Sequence, residues 1–334
     1  MRHASFGDAR MRHVSTPVAS RTESRTESRI AIVGSTASGK SAVGMAVVEA
    51  LRAAGRAAEI VSMDSMAVYR GMDIGTAKPS AVDQAGTPHH LIDVVLPDEE
   101  FAVGEFQRLA LAAIAGIEGR GAVPVLVGGT GLYVDAVIDE LTIPGQYPAV
   151  RAELELEACA SLPLLYARLQ LLDPLAASRM EPANDRRIVR ALEVTIGAGR
   201  PFSSFGPGLA AAQSPGRYRM VGLALPRASL PARIQARFAR QMADGFLAEA
   251  QALLDRYGDR LSRTAAQALG YRELWAHLRG AGSLEDAVGE ATLRTRQFAV
   301  RQERWFRRDA RICWLDGETR GPAGMAAEIV AGLA

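Results

Sequence analysis

The chain has 334 residues, of which 48% are hydrophobic and 23% charged, enough for one large globular domain and a smaller one. No apolar run approaches the roughly 20 residues that span a bilayer, so an integral membrane protein is excluded and a cytoplasmic one is expected. Net charge is +2, divided as +3 on residues 1–30, +5 on residues 294–308 and −6 on the rest, which points to a localised polyanion site on a mildly acidic body.

The first 29 residues repeat Arg21-Thr22-Glu23-Ser24 as Arg25-Thr26-Glu27-Ser28 and lack an apolar centre, so they read as a disordered polar tail and not as a secretory signal. Arg29 to Val33 is a short apolar run that predicts the first buried strand. It runs into Gly34-Ser35-Thr36-Ala37-Ser38-Gly39-Lys40-Ser41, a full match to the glycine-rich phosphate-binding loop. A helix is predicted from Ser41 to about Ala54, then a strand from Ala58 to Met63 that delivers Asp64 to its carboxyl end. His89 to Val95 reads as a further strand, Phe101 to Ile117 as an amphipathic helix, and Val123 to Val127 as a strand ending at Gly128-Gly129-Thr130-Gly131.

Strands alternating with helices predict an α/β fold: a P-loop NTPase-like parallel sheet with helices on both faces. Only helical periodicity is visible from Val150 to Ile196, and Pro201 to Pro215 reads as a linker before strand character returns at Tyr218. The expected organisation is a body formed by 30–140 and 214–318, an all-helical insertion at 141–213, and a helix or tail at 319–334. Cys159 and Cys313 form no metal-ligand pattern and are expected as small core residues in a reducing compartment.

Only two lysines occur, Lys40 and Lys78, against 37 arginines. A compact ammonium fits between phosphates where a planar guanidinium is too wide, so Lys40 is expected to neutralise phosphate oxygens. The Ser41 hydroxyl is the expected magnesium (Mg2+) ligand. Lys78, in Asp73-Ile74-Gly75-Thr76-Ala77-Lys78-Pro79, marks a second candidate site segment. Asp64, facing the phosphate pocket, could hold magnesium, orient a sugar or act as a general base. A nucleotide-driven motor is disfavoured because no later strand ends in a second acidic residue. A GTPase is disfavoured because neither lysine follows an asparagine. His89 and His90 are adjacent on a predicted strand and face opposite ways, which suits hydrogen bonding better than a shared metal.

The phosphate loop, the block Asp64-Ser65-Met66-Ala67-Val68-Tyr69-Arg70-Gly71-Met72-Asp73 through Pro79, Pro88–Asp93 and Gly128–Tyr133 together resemble the tRNA dimethylallyltransferase family. Further matches are Arg186–Val194, Leu269–Glu273 and Thr295–Gln302, so the resemblance spans about 30–316. It implies a prenyl donor, dimethylallyl diphosphate, held by the loop, and a tRNA anticodon stem-loop as acceptor, with the exocyclic amine of the adenosine 3′ of the anticodon as nucleophile. Asp64 matches the general base, and Lys40 and Arg237 match groups that stabilise the leaving diphosphate. Ser65, Met66, Ala67, Thr130 and Arg151 match RNA-contacting positions. Arg186, Arg187, Arg190, Gly270, Tyr271, Arg272, Arg301, Arg304 and Arg308 are the remaining candidates for holding RNA, with Tyr271 able to stack a base or to pack.

On the helix Leu293–Arg308, the arginines 294, 301, 304 and 308 share one face, while Phe298, Ala299 and Trp305 are expected to face the core. Three departures from the family pattern stand out: Ser35 for a proline, Val300 for a lysine and Gln267 for an arginine. A monomer is expected. The competing readings are a prenyltransferase acting on free adenine nucleotide, a P-loop small-molecule kinase, and a non-catalytic RNA-binding regulator. The inserted helices and the basic segment argue against the first two, and Asp64 beside a complete phosphate loop argues against the third.

Overall fold

The computed structural model describes residues 29–206 and 217–333. The expected tail, Arg29 apart, and much of the stretch 201–215 lie outside them. β1 (Arg29–Gly34) is apolar and buried, and successive side chains alternate between the faces of the sheet. Ile30 and Ile32 pack on Val43, Val47 and Leu51 of α1 (Lys40–Ala53), whereas Ala31 and Val33 join the layer on the other face.

The chain continues through β2 (Ala58–Ser62), α2 (Ala81–Gly86), β3 (His89–His90), α3 (Val103–Gly119), β4 (Val123–Gly128) and α4 (Gly131–Ile138). The helices α5 (Pro148–Leu172), α6 (Pro174–Ser178) and α7 (Asp185–Ala198) then leave the sheet before β5 (Tyr218–Ala224) returns to it. They surround a small core of their own, including Leu154, Leu165, Leu169, Ile188 and Leu192. Within α5 the chain kinks at Ser161, two residues before Pro163. After β5 come α8 (Leu230–Ala243), α9 (Phe246–Tyr257), α10 (Tyr271–Leu278), α11 (Leu284–Phe306), β6 (Cys313–Asp316) and α12 (Pro322–Ala331).

All strand pairs are parallel, in the order β3-β2-β4-β1-β5-β6. β1 is followed in sequence by β2 yet lies between β4 and β5, so a crevice opens at its carboxyl end, where such sheets hold ligands. α1 and α12 cover one face, and α3 and α4 with α8–α11 cover the other.

The structure corrects several expectations. The strand foreseen over His89–Val95 stops after His90, because Leu91 and Asp93 take left-handed backbone conformations with φ of 64° and 55°. β6, which was not foreseen, extends the sheet beyond β5; α12, within the segment expected as a helix or tail, packs against α1. Both cysteines are exposed and neither belongs to the core. On α11 Ala299 is buried as expected, with Ala287, Ala291, Gln302 and Phe306, and Trp305 packs half-buried against the core, whereas Phe298 is half-buried without joining it.

Candidate active site

The loop after β1 turns through Ala37, at φ 64°, and Gly39, at φ 89°, before α1 begins at Lys40. The first amides of α1 have no partner within the helix and converge with its positive end on the crevice. The Lys40 Nζ donates to Ser35 O at 2.7 Å. Enclosure of that ammonium pushes its pKa down to about 8, against the opposing pull of Asp64 and with a smaller contribution from Arg237. The Ser38 hydroxyl is buried with no hydrogen-bond partner, an orphan donor inside the cradle.

Asp64 follows β2 and is half-buried, and its Oδ1 accepts the Met66 amide at 2.8 Å. Arg237 approaches from α8. Burial lowers its pKa and Asp64 raises it, so one carboxylate is flanked by Lys40 and Arg237. Beyond β4, Thr130 Oγ1 accepts the Ser65 amide at 3.3 Å and ties the ends of β2 and β4 together. A side chain at Gly128 would meet Met63 O at 2.3 Å, so only glycine allows the two strand ends to approach.

The Asp64–Pro79 segment is held from outside. Glu249 on α9 accepts the amides of Asp73, Ile74 and Gly75 at 3.0, 2.9 and 3.2 Å. Gln241 on α8 donates to Ile74 O and Gly75 O at 2.7 and 2.9 Å. Arg237 Nη2 reaches Thr76 O at 3.4 Å. Lys78 is not part of the phosphate cradle: its Nζ donates to Tyr69 O, Asp73 Oδ1 and Asp93 Oδ1 at 2.5, 2.7 and 2.6 Å. Its side chain is 3% exposed, and three donors on one small head meet three acceptors, a geometry that a guanidinium does not reproduce. His89 pairs with Thr87 O and His90 with Glu59, so both are locally bonded.

The RNA-contact candidates divide into three groups. Arg301 and Arg304 on α11, Arg308 in the turn just after it, and Arg186 and Arg187 on the first turn of α7 are exposed. Arg301 and Arg304 join Arg227, Arg296, Gln297, Leu230 and Val300 around a shallow hollow of about 450 Å³. Arg151 and Arg190 instead converge on the buried Glu193, at 3.2 and 2.9 Å, and Arg190 also donates to Pro144 O and Gly145 O.

The third group is packed inside. Tyr271 is fully buried between Phe246 and Trp275 and donates to Glu249, so it cannot stack a base. Gly270 is buried with its amide bound to Glu273, and Arg272 pairs with the same carboxylate. Ser65 and Met66 remain half-exposed at the crevice, whereas Ala67 is buried and its carbonyl accepts the Asp93 amide.

Sequence reasoning gave no role to Gln302, Glu249 or Gln241. Gln302 lay in plain view inside Thr295–Gln302, and its spacing of three from Ala299 and four from Phe306 places it on the buried face, but no spacing rule reveals its partners Thr36 and Gly129. Glu249 and Gln241 act on loop residues more than 160 positions away in the chain.

A mouth of this kind suits transfer of a group carried on a diphosphate, the chemistry of a P-loop-type α/β transferase. The chain belongs to the IPP transferase family, which its residues 67–309 match. It is 47% identical over 318 residues to a tRNA dimethylallyltransferase of Desulforudis audaxviator, covering 91% of this chain and 97% of that one. It is 48% identical over 289 residues to a tRNA dimethylallyltransferase of Kineococcus radiotolerans, covering 86% and 90%. Among solved structures, the full-length tRNA isopentenylpyrophosphate transferase of Bacillus halodurans superposes with a TM-score of 0.66 at 38% identity, over 92% of this chain and 97% of that one. A eukaryotic dimethylallyltransferase acting on tRNA shares the fold with a TM-score of 0.75 at 24% identity, over 91% and 78%.

Proposed function

We propose that this chain is a tRNA dimethylallyltransferase that moves a dimethylallyl group from its diphosphate to the exocyclic amine of the adenosine 3′ of the anticodon. The observation that carries the reading is the placement of one carboxylate, Asp64, between two half-buried cations at the mouth of a complete phosphate loop. The donor's diphosphate lies against the α1 amides, Lys40 and the unpartnered Ser38 hydroxyl, with its allylic carbon turned toward Asp64. As the adenine nitrogen forms its bond to that carbon, the carbon–oxygen bond to diphosphate breaks. One amine proton passes to Asp64, and the charge developing on diphosphate falls beside Lys40 and Arg237.

Magnesium fits this cradle. Ser41 is exposed at the start of α1, and among the described residues no cluster of three acidic, histidine or cysteine ligands competes for a metal. Ser41 would hold the ion, with substrate oxygens and water filling its shell, and it would add positive charge at the leaving group.

Exposed arginines on α7 and α11 supply phosphate contacts for the anticodon stem-loop, while Ser65, Met66 and Thr130 line the place where an unstacked adenine must arrive. The helices α5–α7 form the second wall of this RNA site. No helix among the described residues is long and apolar enough to cross a membrane, and the enzyme is expected to act as a monomer in the cytoplasm.

The test is Asp64→Ala assayed with labelled dimethylallyl diphosphate and unmodified tRNA. Transfer should fall about 10²–10⁴-fold while tRNA binding persists. Near-normal turnover in that variant would remove Asp64 from the role of base.

A further inference from the structure

One amide side chain joins the two glycine-rich turns of the crevice, and it comes from the helix that carries the exposed arginines. Gln302 on α11 is 6% exposed. Its Oε1 accepts the Thr36 amide at 2.8 Å and the Thr36 hydroxyl at 3.1 Å, and its Nε2 donates to Gly129 O at 2.7 Å. Thr36 lies in the phosphate loop after β1, and Gly129 follows β4, the strand paired with β1. A Cβ on Gly129 would stand 2.6 Å from Gln302 Nε2, so the contact requires glycine there.

A glycine-rich loop has little side-chain packing to fix its own shape, and a phosphate cradle works only when its amides already point at the anion. With its N–H committed to Gln302, Thr36 is anchored on the outer edge of the loop and the next turn, through Ala37 to Gly39, is left to face the crevice. Arg301, directly before Gln302, and Arg304, two positions after it, point outward from the same helix.

We propose that Gln302 is a positioning residue for the donor: it holds the phosphate loop in its receptive shape and mechanically joins that loop to the arginine-bearing helix. The proposal rests on the reading of this crevice as a prenyl-diphosphate site, deepened to one residue that touches neither substrate. Burial, donor–acceptor matching at both ends and the glycine at the contact all agree on a bridge rather than an RNA contact.

The experiment compares Gln302→Met, similar in size but without the amide, and Gln302→Glu with the wild type. KM is measured separately for dimethylallyl diphosphate and for tRNA, and Kd is measured for inorganic diphosphate alone. Loss of these hydrogen bonds should raise the donor KM and the diphosphate Kd of Gln302→Met about tenfold, with tRNA KM within about twofold of wild type. Gln302→Glu keeps an acceptor for Thr36 but loses the donor to Gly129, which its protonated carboxyl restores. Its donor KM, taken relative to wild type at the same pH, should therefore move back toward wild type as pH falls.

Unchanged diphosphate affinity in Gln302→Met overturns the proposal. So does a rise confined to tRNA KM, or an equal loss in every parameter that tracks a lowered melting temperature. Because inorganic diphosphate is bound without prenyl transfer, weakened diphosphate binding upholds the bridge even if the transferred group proves not to be dimethylallyl.

Discussion

Burial of the Lys40 ammonium makes its charge conditional. Its native pKa of about 8 lies below the ordinary 10.5, so between those values the unfolded chain binds more protons and stability rises with pH across that window. A diphosphate placed beside it favours the charged form and draws the pKa back up. Binding of inorganic diphosphate at mildly alkaline pH should therefore take up a proton, and affinity should fall as pH climbs above about 8. Titration calorimetry in buffers of different ionisation enthalpy measures that uptake directly. An uptake of zero throughout this range would mean that Lys40 is already fully charged in the free enzyme.

At the scale of elements, α11 is the hub of the molecule. Gln302 reaches the phosphate loop, and Trp305 Nε1 donates to Asp135 Oδ2 of α4 at 2.9 Å. Burial raises the Asp135 carboxyl from 3.8 to about 6, with the Trp305 hydrogen bond opposing. The native state thus holds a proton that the unfolded chain gives up between those values, and stability from this group falls as pH rises through the window. Asp135→Asn keeps an acceptor for Trp305 without the charge, and should raise stability at neutral pH by on the order of 1 kcal/mol. Urea unfolding at two pH values checks this, and the gain over wild type should shrink in acid.

The elements also show what a sequence can disclose. β1, α1, β2, α3 and β4 were legible because each carries a strong apolar period and is closed by glycine or aspartate. The phosphate loop and Asp64 were legible because their chemistry is local. β6 was not: only Leu315 of its four residues is buried, and its pairing with β5 is decided across some ninety positions of chain. The β3 region misled for the opposite reason. Its apolar run is real, but Leu91 and Asp93 turn it to meet the Asp64–Pro79 segment, where Asp93 receives Lys78. Tyr271 showed a third kind of failure, since an aromatic beside arginines looks the same in sequence whether it stacks a base or fills a core.

For the molecule as a whole, the +5 segment coincides with the exposed arginine face of α11, so most RNA affinity should come from phosphate contacts and depend steeply on salt. Arg304→Ala should weaken binding of an anticodon stem-loop evenly across loop sequences and reduce the slope of log affinity against log salt by about 1. Arg151→Ala should behave differently. That side chain is tied to Glu193 and Glu155, so its removal leaves a buried carboxylate with fewer partners and lowers thermal stability as well as binding. A melting curve separates the two variants.

The scarcity of lysine has a practical result. Apart from its amino terminus, the chain carries two primary amines, and their surroundings differ sharply. Lys78 is sealed from solvent with every hydrogen engaged, whereas Lys40 is half-buried, makes one hydrogen bond, to Ser35 O, and has its pKa pushed down to about 8. A mild acylating reagent should thus label Lys40 ahead of Lys78, silence the enzyme as it does so, and be held off by saturating dimethylallyl diphosphate. Peptide mapping by mass spectrometry would read out occupancy of the donor pocket through a single covalent mark.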